Sequence, residues 1–168
     1  MELLLGCGTN REKKIGVEGR SQWDNLVTLD HNHNHNPDVI HDLEKLPLPF
    51  TDNSFDEIHA YDILEHIGRQ GDWRFFFDHW TDLWRILKPG GLFMGIVPSP
   101  KSVWAWGDPS HKRIIPIETL TFLSQKEYAK QIGFTPMSDF RFYYKADFEI
   151  LQASDDDIVS RFIVRAIK

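Results

Sequence analysis

The chain has 168 residues, with 19 lysines and arginines against 25 aspartates and glutamates, a net charge of −6. That balance disfavours nucleic-acid backbone binding, which needs a basic surface. The lone Cys7 cannot form an internal disulfide, no run approaches the ~18 apolar residues of a membrane span, and the opening Met-Glu-Leu-Leu-Leu-Gly carries an acid where a signal peptide carries a base.

Size and composition predict one cytosolic domain over residues 1–168 with a single core. Glu2 to Leu5 reads as a buried strand stopped by Gly6-Cys7-Gly8. Leu26 to Leu29 ends at Asp30, and Asp38 to Ile40 runs into His41-Asp42. Phe55 to Tyr61 is a fourth strand, entered through the turn residues Thr51-Asp52-Asn53-Ser54. From Asp72 to Lys88 the apolar residues Trp73, Phe76, Phe77, Trp80, Leu83, Trp84 and Leu87 recur at spacings of three and four, one face of a helix. Pro89-Gly90-Gly91 closes it, and Leu92 to Val97 is a fifth, central strand.

Pro98 to Pro116, with four prolines and two tryptophans, reads as a long loop over the sheet edge. Glu118 to Ile132 is predicted as one helix, and Phe134 to Leu151 and Ile158 to Ile167 as a terminal antiparallel hairpin around Ser154-Asp155-Asp156-Asp157. Strands alternating with helices imply a three-layer α/β domain, mostly parallel, with no internal repeat or linker.

The ends of the first three strands carry the chemistry. A glycine turn lets main-chain N–H groups approach a charged ligand. An acid about twenty residues later, Asp30, can accept hydrogen bonds from ribose hydroxyls, and Asp42 is placed to meet an adenine amino group. A nicotinamide-dependent oxidoreductase would also use a glycine turn and a downstream acid.

The runs Leu3-Leu-Leu-Gly-Cys-Gly-Thr-Asn10, Asp42-Leu-Glu-Lys-Leu-Pro47, Asp52-Asn-Ser-Phe-Asp-Glu-Ile58, Leu64-Glu-His-Ile67 and Leu87-Lys-Pro-Gly-Gly-Leu92 together resemble the successive motifs of class I S-adenosylmethionine-dependent methyltransferases, in family order over residues 3 to 92. The resemblance implies a Rossmann-like fold, S-adenosylmethionine as cofactor and S-adenosylhomocysteine as product. It implies that Gly6, Cys7 and Gly8 line the methionine part with backbone groups, and that Asp30 holds the ribose with His31 beside the adenine. Asp42 and Leu43 would bind the adenine edge, with Ala60 and Tyr61 facing the methionine or the transferring methyl.

Leu4 stands where the family commonly has an acid and Asn10 where it often has a third glycine; the short connection from Gly8 to Leu26 implies a truncated or missing first helix. Many relatives also carry helices before the first strand. Their absence here implies a cofactor crevice left open, or closed by the Pro98–Pro116 loop, a partner chain or a second copy. The expected function is methyl transfer to a small molecule or a glycan or lipid precursor; the alternative is a cofactor-binding or inactive subunit acting with a partner.

Within the long loop, Trp104, Trp106, Asp108 and His111 are candidate substrate contacts, with His111 a candidate base. The Asn-His alternation at His31, His33 and His35 reads as a solvated loop with incidental nickel or zinc affinity, and no functional metal site is assigned. Cys7 is read as a backbone contributor rather than a nucleophile. Glu65-His66 is read as helix capping or packing, and the Trp73–Trp84 aromatic face as core.

Overall fold

The computed structural model describes residues 1–17 and 19–168. Seven strands form one sheet: β1 Glu2–Leu5, β2 Leu26–Asp30, β3 Val39–Ile40, β4 Phe55–Tyr61, β5 Leu87–Pro98, β6 Asp147–Asp155 and β7 Val159–Ile167. Their order is β3-β2-β1-β4-β5-β7-β6. The first five are parallel, and β7 inserts antiparallel between β5 and β6, completing the expected terminal hairpin. This is the mostly parallel α/β sheet that the strand pattern predicts, in the Rossmann-like form that the resemblance implies.

The 14-residue helix α1, Trp73–Ile86, starts where Asp72 accepts a hydrogen bond from the Phe75 N–H. It lays Phe77, Trp80 and Leu83 on the sheet face formed by Leu3, Leu5, Ile58, Phe93, Phe162 and Val164, and these residues form the main core. Helix α1 gives way to β5 at Leu87, so Pro89-Gly90-Gly91 lie inside a longer strand rather than in a turn that closes the helix ahead of it.

Three expectations are corrected. Glu118–Ile132 is not one helix: a 3-10 turn, Ile117–Leu123, is separated from α3, Gln125–Gln131, by Ser124. The Ser124 backbone is extended and its hydroxyl accepts from the Glu127 N–H, so it starts a new helix instead of continuing the old turn. The long loop contains a short helix, α2 Val103–Gly107, capped by Ser102. The strand foreseen from Phe134 begins only at Asp147; the intervening turns instead pack Phe140 against Trp73 and Tyr144 against Phe77, with ring centroids 4.9 and 4.8 Å apart.

On the opposite face the third layer is a connection rather than a helix, and among the described residues of 9–25 no helix or strand forms. Ile15 and Trp23 rest on a small cluster of Leu4, Cys7, Tyr61 and Ile96. Beneath the connection lies a charged network. Lys13 Nζ donates to Glu2 Oε1 and to Glu57 Oε2, both at 2.8 Å, with all three side chains almost fully buried. Arg20 reaches the second Glu57 oxygen at 3.1 Å. His59 bridges Glu57 and the Tyr61 hydroxyl, which in turn accepts from the Ile15 N–H.

The His59 ring, and then Lys13, hold Glu57 down to about 2 against the opposing effect of burial. A carboxyl depressed in the folded state stabilises the fold above its ordinary pKa of 4.5, and that stability is lost as pH falls from 4.5 towards 2. Glu57→Gln is therefore expected to lower neutral-pH stability and to flatten its dependence on pH below 4.5, read by urea unfolding across an acid series. A variant with the wild-type acid profile would contradict the assignment.

Candidate active site at the carboxyl edge of the sheet

Because β1 to β4 are parallel and adjacent, their carboxyl ends open on one edge. There Gly6 and Gly8 take left-handed backbone angles, φ +57° and +52°. A Cβ on Gly6 would sit 2.5 Å from Cγ1 of Ile63, which packs into the turn from the end of β4. Between them Cys7 donates its N–H to the Leu29 carbonyl, and its side chain is buried. Burial, helped by the Asp30 charge, pushes its thiol up, which leaves the backbone as its contribution.

Asp30 ties this turn to the end of β2. Its Oδ2 accepts from the Gly8 N–H at 2.9 Å and lies 3.0 Å from His35 Nδ1, while Oδ1 accepts from the Asn32 N–H at 2.8 Å. Those hydrogen bonds overcome burial and hold the carboxyl below its usual range. A carboxylate offers about four lone-pair sites, so one remains for a ligand. His35 is thereby used inside the protein, while His31 stays exposed at the rim and His33 lies in a 3-10 turn, His33–His35. The three imidazoles do not converge.

A cleft of about 280 Å³ follows, lined by Gly6, Asp30, His31, His41, Asp42, Leu43, Glu44, Ile63, His66, Ile67 and Lys112. Asp42 uses Oδ1 on the Glu44 N–H, and neither its Oδ2 nor the Leu43 N–H meets a partner among the described residues. An acceptor and a donor from consecutive residues match the amino group and ring nitrogen along one edge of adenine. The donor set of the cleft thus fits an adenosyl group.

On the far side of the cleft, a 3-10 turn, Leu64–His66, follows β4. The segment at 111–113 is docked on it: the Lys112 and Arg113 N–H groups donate to the Glu65 carbonyl and Arg113 Nε donates to the Leu64 carbonyl at 3.0 Å. This sets the His66 and His111 rings edge to face, 4.7 Å between centroids. Burial raises the Glu65 carboxyl to about 7 and lowers Arg113 to about 10. Beyond His111 lies a second hollow of about 480 Å³, lined by Gln70, Pro100, Ala105, Trp106, His111, Lys112, Arg113, Ile114 and Pro116.

A family model described as a methyltransferase domain matches residues 3–95. The chain belongs to this family. It is an α/β enzyme of the class I, S-adenosylmethionine-dependent methyltransferase kind that its motifs resemble. No curated protein matches it. Among solved structures it is similar to a SAM-dependent methyltransferase from Archaeoglobus fulgidus, at 15% identity, covering 98% of this chain and 85% of that one, with a TM-score of 0.59. An S-adenosylmethionine-dependent methyltransferase from Mesorhizobium loti gives 15% identity, coverage of 98% and 89%, and a TM-score of 0.57. A chain in the complex between the Haloferax volcanii Trm112 methyltransferase activator and a methyltransferase gives 14% identity, coverage of 99% and 82%, and a TM-score of 0.61. At these identities the likeness is one of fold. Among the described residues no helix is long and apolar enough to cross a membrane.

Against the methyltransferase pattern, the structure gathers Gly6, Asp30, His31, Asp42 and Leu43 around one cleft, with Cys7 and Gly8 in the adjoining turn. Two side chains do not join them. Ala60 is in the main core, and Tyr61 turns to the opposite face to bond His59 and Ile15, because alternation along β4 sends Glu57, His59 and Tyr61 the same way. Of the long-loop residues, Trp106 and His111 line the second hollow. Trp104 is 68% exposed outside it, and Asp108 bonds Ser110 within its own turn. Sequence reasoning missed His66 and Lys112 as walls of the cleft; the Leu64–Ile67 motif was the available signal.

Asp30→Ala removes a charged acceptor from two N–H groups and leaves the glycine turn untied. It is expected to cost about 1–3 kcal/mol of stability, measured by urea denaturation at pH 7; a change below a few tenths would show that the turn does not depend on it.

Proposed function

We propose that the protein is a cytosolic methyltransferase that moves a methyl group from S-adenosylmethionine to a small-molecule acceptor, either a free metabolite or a glycan or lipid precursor. The observation that carries this reading is the unpartnered pair of Asp42 Oδ2 and Leu43 N–H, in one cleft with Gly6 and Asp30 and beside a second, larger hollow. S-adenosylmethionine supplies a methyl on a sulfonium that is its own leaving group, so the demand on the chain is binding and alignment.

In this reading Asp42 and the Leu43 N–H take the adenine edge, with His31 beside the ring. The remaining lone pair of Asp30 takes a ribose hydroxyl, and the Gly6-Cys7-Gly8 backbone borders the methionine part. The acceptor occupies the second hollow against Trp106 and His111. Lys112 belongs to both linings, and His66 on the cleft side faces His111 on the hollow side. The two linings therefore adjoin at these side chains, and in-line transfer places the acceptor atom directly against the methyl carbon where the two volumes meet.

A second chain is the other component of the reading. Val103, Trp104 and Trp106 on α2 are 75%, 68% and 73% exposed beside the hollow, an apolar edge that a partner or a second copy would cover. The methyltransferase in the Haloferax structure, similar to this chain in fold, is in complex with an activator chain.

Asp42→Ala is expected to weaken S-adenosylhomocysteine binding about tenfold, the loss of roughly one hydrogen bond to a charged group, with little change in melting temperature because Asp42 lies at the surface of a turn. Isothermal titration calorimetry checks it. Equal affinity in both proteins would remove the adenine edge from Asp42.

A further inference from the structure

Glu65 presents an unusual carboxylate. The residue is 3% exposed, and its Oε2 is buried without a hydrogen-bond partner. Leaving such an acceptor empty costs free energy comparable to a lost hydrogen bond. Its neighbour Arg113 does not satisfy it: the guanidinium spends Nε on the Leu64 carbonyl, and Nη2 is itself unpartnered. The other Glu65 oxygen stands 3.9 Å from His111 Nε2, too far for a hydrogen bond.

What surrounds Glu65 is a ligand set. One oxygen of Glu65 and one nitrogen each of His66 and His111 lie within 4.8 Å of one another. The Nδ1 atoms of both rings approach main-chain carbonyls, His66 at 3.3 Å from Ser110 and His111 at 3.4 Å from Ala105. A carbonyl at Nδ1 fixes the tautomer that keeps the proton there and leaves the Nε2 lone pair free for a metal. The positions are set by backbone, since the Lys112 and Arg113 N–H groups hold the 111–113 segment on the Glu65 carbonyl.

We propose that Glu65, His66 and His111 form a binding site for a divalent transition-metal ion, on the partition between the cleft and the second hollow. Two imidazoles and one carboxylate suit zinc, iron, manganese, cobalt or nickel rather than magnesium, which prefers oxygen ligands and retains its waters. Three protein ligands leave coordination positions open, as in sites that bind a substrate or water. Open positions beside the hollow would take an oxygen atom of the acceptor, which narrows the substrate class to hydroxyl or carboxylate compounds. That consequence rests on the methyltransferase reading; the metal site does not. His111 is then a ligand, and the base role expected of it from sequence falls away, as does the reading of Glu65-His66 as capping.

The test is calorimetric titration of chelator-stripped full-length protein with zinc chloride, alone and with S-adenosylhomocysteine. The expected result is one zinc per chain at micromolar affinity or tighter, weakened at least tenfold by Glu65→Gln and by His111→Ala and unchanged by His33→Ala. Cobalt titrated into the wild-type protein should give visible d–d absorption displaced by zinc, a readout that needs no variant to fold. Absence of stoichiometric binding, or affinity lost with His33→Ala and kept in Glu65→Gln, overturns the site. Zinc binding without S-adenosylhomocysteine binding supports the metal site while overturning the cofactor reading; the reverse result overturns the metal site alone.

Discussion

The fold turns on one buried cation. Lys13 stands between Glu2 on β1 and Glu57 on β4, on a sheet face that a helix would ordinarily cover. Taking three charges out of water is costly, and only close geometry with every remaining atom satisfied offsets it. Here Arg20, His59 and the Asp24 N–H complete the set. The network fastens the connection from Gly8 to Leu26 across the sheet, and that connection must return the chain to β2 in register for Asp30 to reach the glycine turn. A loop held by charge therefore replaces a helix held by apolar contact.

From that register the site follows. Parallel pairing brings the ends of β1 and β2 together, Asp30 then spans from one to the other, and the glycine turn is fixed before any ligand arrives. Asp30 is consequently both a structural tie and a candidate ribose contact. Asp42 and Leu43 carry less structural duty, and their free acceptor and donor are the clearest sign of a ligand-binding role. Preorganisation of this kind reduces the ordering a ligand must impose on binding.

Much of this was legible in the sequence because it depends on local pattern. Short apolar runs bounded by glycine and turn residues locate β1, β2, β4 and β5, and the three-and-four spacing from Trp73 finds α1. Alternation along β4 also contained the information that Tyr61 shares a face with Glu57 and His59, although position at a strand end pointed to the cleft instead. The break at Ser124 was hidden because Leu120 and Leu123 before it and Tyr128 and Ile132 after it keep helical spacing on either side, while the five-residue step from Leu123 to Tyr128 was the signal passed over. The Phe134–Ala146 turns were hidden because their aromatic content reads as strand while tertiary packing on α1 decides their shape. Lys13 has no local signature, but Glu2 in an otherwise apolar strand and Glu57 in the middle of a buried one signalled that a partner was needed. Glu65 and His111 meet only through the docking of a distant segment, which no spacing rule reports.

The triad of Glu2, Lys13 and Glu57 also constrains how this sequence can change. Losing any single member strands an unbalanced ion inside the protein, whereas exchanging all three for apolar residues of similar volume removes the charge imbalance, provided buried His59, which would lose its Glu57 partner, changes with them. Inheritance at these positions should therefore be concerted: intermediates with one exchange lie in a fitness valley, and lineages carrying the helix-free connection should keep or discard the charged trio as a block.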